Sequence, residues 1–227
     1  MHVPIDPIQP IINKAKAGGT LSIRELKVVK NHIDDTTINQ NDRDALKKQS
    51  EKQLNEFQKV AYAKASALDC SSCAGGACKN CTDMTVMKTL VQEENFNKLD
   101  IGQRLDIAIG SSGGGNGGGG GDDPLGKGLG NLSSENWVTG GVQELIDNSS
   151  PEQIKTLLEK LEIKNKDAKT KIQFENALYR KIGQNLQTNT FTVQNLIDIK
   201  ILLGTGDKGP ISIVLKEIPH AGKDQTL

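Results

Sequence analysis

Half of the chain's 24 glycines fall between Gly110 and Gly130, five of them consecutive from Gly117 to Gly121. Such a run has no side chains to bury and the largest backbone entropy to lose, so it is expected to act as a flexible tether. That feature divides the 227 residues into a helical module over 1–110, a linker over 111–132 and a second helical module over 133–227. A phosphate-cradling loop is a poor reading of the run. Gly126-Lys127-Gly128 lacks the Ser or Thr that must follow the lysine and open a helix.

The signals on both sides of the tether are helical, and the fold class read from them is all-α. Ser22 and Glu25 form a capping box, in which a hydroxyl and a carboxylate satisfy open backbone donors reciprocally. They open a helix to about His32, and Asp34-Asp35-Thr36-Thr37 then breaks the chain. A long helix is expected from about Asn41 to Asp69, with Leu46, Leu54, Phe57, Ala61, Ala65 and Leu68 on one face. Others start near Thr82, at Asp100 and at Ser150-Pro151, where an N-cap is followed by proline in the first turn. Residues 136–147 read as a candidate broken by Gly140-Gly141. Residues 167–186 carry Phe174, Leu178, Ile182 and Leu186 at helical spacing.

Two segments read differently. Pro4, Pro7 and Pro10 alternate with Ile5, Ile8 and Ile11 at period three, the repeat of a polyproline II arm. Such an arm would fold back on its own module or dock on a partner. At the other end, a capped helix from Val193 competes with a short β-hairpin formed by 199–203 and 211–215 about the Gly204–Gly209 segment. No internal repeat of fixed period is visible.

The most specific chemistry lies in Cys70-Ser-Ser-Cys73 and Cys78-Lys-Asn-Cys81, the chain's four cysteines, set about a Gly75-Gly76 reversal. The spacing puts each pair on one face of a helix, so the four sulfurs can meet at the tip of a helical hairpin. Paired C-x-x-C supplies four thiolates for a tetrahedral structural zinc, and these residues are the expected metal ligands. Two disulfide rungs, Cys70–Cys81 and Cys73–Cys78, are the rival arrangement, and an iron–sulfur cluster is the third. Each of these is a staple for a chain with only 35% hydrophobic and 3% aromatic residues.

Other motifs weaken on inspection. Gly204 to Gly209 matches G-x-G-x-x-G, but Pro210 and an alternating apolar run argue against the helix a dinucleotide site needs. The Asp34–Asp44 acids do not fall in the register of a calcium loop. The three histidines and scattered carboxylates assemble into no catalytic set, and an enzyme is disfavoured. With 28 basic and 28 acidic residues there is no stripe for nucleic acid, and no apolar segment approaches the ~20 residues of a membrane span.

The expected function is a non-enzymatic structural or interaction protein, acting as adaptor, assembly component or carried cargo. It would work with a protein partner in a reducing cytoplasm. The alternative is a toxin or effector released by a route that needs no signal peptide, with the cysteines as metal site or disulfides.

Overall fold

The computed structural model describes residues 8–67, 79–113, 136–185, 191–207 and 209–218. Among them are eleven α-helices and no strands, in accord with the all-α reading. In chain order they are α1 (Ile8–Lys16), α2 (Ile23–His32), α3 (Gln40–Ala67), α4 (Lys79–Val91), α5 (Glu93–Lys98) and α6 (Ile101–Gly113). Then follow α7 (Asn136–Asp147), α8 (Pro151–Lys160), α9 (Ala168–Asn185), α10 (Val193–Leu203) and α11 (Pro210–Glu217).

Local chemistry explains most helix starts. Three capping boxes are closed in both directions: Ser22 with Glu25, Ser150 with Gln153, and Thr192 with Asn195. Asp100 begins α6 in the same manner, its carboxylate accepting from the Gln103 N–H at 2.8 Å while Gln103 returns the bond at 3.1 Å. Before two of these caps sits a buried apolar residue, Leu21 or Phe191. After them, Leu26 and Val29 in α2 match Leu196 and Ile199 in α10, all buried. The two helices enter the core by the same device.

Two expectations about the ends of the chain are corrected here. The described part of the proline–isoleucine segment is the helix α1, not polyproline II. Pro10 lies in the first turn, where no intrahelical N–H is required, and Ile8, Ile11 and Ile12 are buried in the chain's own core. The C-terminal β-hairpin is replaced by α10 and α11. Thr192 caps the first, Gly204 ends it in the left-handed region at φ 63°, and Pro210 begins the second at a position that suits its fixed φ.

Helices from both sides of the glycine-rich stretch contribute to one continuous apolar cluster, which includes Leu26, Phe57, Met87, Ile107, Leu145, Leu178 and Leu196. The closest helix pairing joins α6 to α7. Gly110 lies against Gly140 and Glu144, and further down Asp106 meets Asn148 at 3.1 Å, so the two run antiparallel. Gly140-Gly141 therefore does not break α7. A β-carbon on Gly141 would overlap the Ser111 hydroxyl and sit 2.9 Å from the Ile107 carbonyl oxygen. The glycines are the contact surface.

Central to the arrangement is α4, which packs on α3 and α5 of the first segment and on α7 and α9 of the second. Its Val86, Met87, Leu90 and Val91 are all buried, with Met87 acting as core filler. Polar ties reinforce these crossings. Arg180 on α9 grips the buried carboxylate of Asp83 on α4 with two donors, one of them at 3.1 Å. On α3, Gln53 bonds both backbone groups of Leu21 at 2.9 Å.

Candidate functional site

The cysteine pairs bracket a junction between two packed helices. Cys70, Cys73 and Cys78 lie outside the described residues, and so does the side chain of Cys81, whose backbone belongs to the first turn of α4. What the structure describes is the hairpin that carries them. The final turns of α3 and the whole of α4 pack together, and Gln58 donates to the Val91 carbonyl at 2.6 Å, far from the connecting segment. Nearer to it, Tyr62 of α3 and Met84, Thr85 and Lys88 of α4 border the same groove. The hairpin is thus antiparallel and already paired on the approach to its tip.

A groove open to solvent runs beside Tyr62. One lobe, about 660 Å³, is walled by Gln58, Lys59, Tyr62, Gln92, Glu93 and Glu94. Another, about 380 Å³, extends past Tyr62 and Gln92 to Lys88 and the first turn of α9. Tyr62 is 39% exposed, one of five large hydrophobic side chains open to solvent among the described residues. At the α9 end Asp167 accepts from the Thr170 backbone N–H at 2.9 Å and from its hydroxyl at 2.7 Å. Those two donors hold its carboxyl below the usual carboxylate range. Apart from an aromatic residue on the outer side of α3, nothing local in the sequence announces this groove.

Other side chains of unusual chemistry prove to be structural. Lys181 is buried, and desolvation lowers its ammonium from the ordinary lysine value, with the Asp147 charge opposing. A buried lysine is a candidate nucleophile, but here its amine donates to the carbonyls of Ile146 and Asp147 in the last turn of α7 and of Ser149 just beyond it. It replaces the missing helix donors and lies 5.9 Å from the centre of the Phe191 ring. Asp106 is buried in an ion pair with Lys30, and burial outweighs that partner to raise its pKa. No groove opens onto it among those described.

The acids once compared with a calcium loop each make separate local bonds. Asp34 takes Lys47, Asp35 takes Thr37 and His32, Asp42 takes Asn39 and Lys16, and Asp44 takes Gln40. The described residues hold no cluster of three or more His, Cys, Asp or Glu suited to a metal ion.

For Gly204–Gly209 the outcome is mixed. A helix does follow, contrary to expectation, but it is preceded by helix α10 and not by a strand. The space before α11 is filled from within: the buried Glu175 carboxylate presses against Gly209 and accepts from the Ile211 N–H at 3.0 Å. An internal carboxyl group occupies the place where a dinucleotide phosphate would sit.

No family model, no curated protein and no solved structure matches the chain. The site must therefore be read from its own chemistry. Among the described residues no helix is long and apolar enough to cross a membrane.

Proposed function

We propose that the protein is a non-enzymatic structural or interaction component, working as an adaptor, assembly part or cargo in a reducing cytoplasm. Its α3–α4 hairpin is closed by a structural zinc on Cys70, Cys73, Cys78 and Cys81. The observation that carries this reading is the pairing of α3 with α4 on either side of the cysteine segment. A closed four-ligand site adds a cross-link to a helix pair that the rest of the fold leans on. It also leaves no open coordination position for catalysis. The absence of a basic stripe favours a protein partner over nucleic acid.

Metal content and free-thiol count, taken on protein purified under reducing conditions, test the proposal. One zinc per chain is expected, with chelation loosening α3 and α4 in hydrogen exchange. Metal-free protein with no free thiols would replace zinc by a disulfide ladder and move the reading to the alternative, an effector released into an oxidising space. Toxicity on cytoplasmic expression would point the same way.

A further inference from the structure

The groove at Tyr62 has opposite charge at its two ends. Toward α9 it is bordered by Lys88 and Lys169, with Thr85, Thr89 and Thr170 between them. At the other end stand Glu93 and Glu94, with Lys59 beside them. Some surface lysines have carboxylate partners: Lys14 has Glu25, Lys47 has Asp34, and Lys155 has both Glu152 and Asp198. Lys88 and Lys169 have none among the described residues. The single acid at their end, Asp167, spends both oxygens on Thr170. Among the described residues, this end of the groove therefore carries two ammonium groups and one carboxylate, and that carboxylate is bonded within its own helix start.

Between the two ends lies Tyr62, which together with Gln92 borders both lobes. A half-open phenol ring offers a face for stacking, and the glutamines and threonines offer donors and acceptors around it. The lobes fall within the roughly 300–1,000 Å³ of small-molecule sites, which suits a single small ligand better than a polymer. We propose that this groove binds a small ring-bearing phosphate ester of the nucleoside monophosphate class. The phosphoryl group lies toward Lys88 and Lys169, the ring against Tyr62, and hydroxyl or amino donors toward Glu93 and Glu94. None of the lining residues is a cysteine, so the same ligand is expected whether metal or disulfides close the hairpin.

Calorimetric titration of the full chain with AMP, adenosine, ribose 5-phosphate and inorganic phosphate tests this. AMP should saturate the protein, with adenosine and ribose 5-phosphate each about tenfold weaker because each lacks one of the two contacts. The double variant K88A/K169A should weaken AMP by about tenfold or more. Its melting temperature should not move, since both lysines are exposed and carry no partner. Tyr62→Ala should weaken AMP yet leave inorganic phosphate unchanged. Absence of saturation up to about 10 mM AMP would overturn the proposal, as would wild-type affinity in K88A/K169A. Equal affinity for AMP and inorganic phosphate would mean an adventitious ion only, and would overturn it too.

Discussion

Gly110 of α6 meets Gly140 of α7 so closely that a β-carbon on Gly110 would overlap the Gly140 carbonyl group and lie 2.5 Å from the Glu144 β-carbon. Backbone touches backbone. Gly110→Ala must therefore push the helices apart, at a cost of about 1–3 kcal/mol, even though alanine is the better helix former by about 1 kcal/mol. Urea unfolding should show a lower midpoint with an unchanged slope. An equal or higher midpoint would mean that the helices do not cross this tightly.

The same crossing has a consequence for cleavage. Contacts of α6 with α7, and of α4 with α7 and α9, hold helices from both sides of the glycine-rich stretch in one apolar cluster. Protease cutting within 114–135 is expected to leave fragments that co-elute in size exclusion and separate only in denaturant. Fragments that part in native buffer would show instead two modules that fold alone.

Removing the Lys181 amine should be costly. Lys181→Met keeps the stem but leaves the carbonyls of Ile146 and Ser149 without the donor they share. Each unsatisfied buried group costs about 1–3 kcal/mol, so a loss of at least about 2 kcal/mol is expected in chemical denaturation. A loss below about 0.5 kcal/mol would imply that water replaces the amine there.

Asp106 sets a pH dependence of unusual sign. Burial raises its pKa above the ordinary 3.8 despite the Lys30 ammonium, so the folded chain holds this proton more tightly than the unfolded chain. Its contribution to stability is greatest below pH 3.8 and falls as pH rises through the folded pKa. Asp106→Asn cannot titrate. The stability of the native chain relative to this variant should decline as pH rises from about 3.8 and level off beyond the folded pKa. A difference that grows with pH would contradict the burial argument.

The sequence made the helix starts readable because caps are local. Ser22, Asp100, Ser150 and Thr192 act within three residues of themselves, so a short window contains the whole cause. What it concealed depends on distant partners. Gly140-Gly141 looks like a helix break until Ser111 and Ile107 occupy the space a side chain would need. Pro10 looks like part of an extended arm until Ile8, Ile11 and Ile12 are seen in one core. The matched entries of α2 and α10 recur only once, so no fixed period betrays them. Of the candidate sites, the cysteines stand out in the sequence alone. The Tyr62 groove exists only after α3, α4 and the start of α9 have come together.

Because α4 is covered by α7 and α9, which follow it by dozens of residues, synthesis imposes a waiting period. At roughly 5–20 residues per second, the covering helices emerge several seconds after α4 itself. During that interval Met87 lacks its Gly141 neighbour and the Asp83 carboxylate lacks Arg180. A clamp near the start of α4 would then act first as a holding device, fixing its orientation until Arg180 arrives.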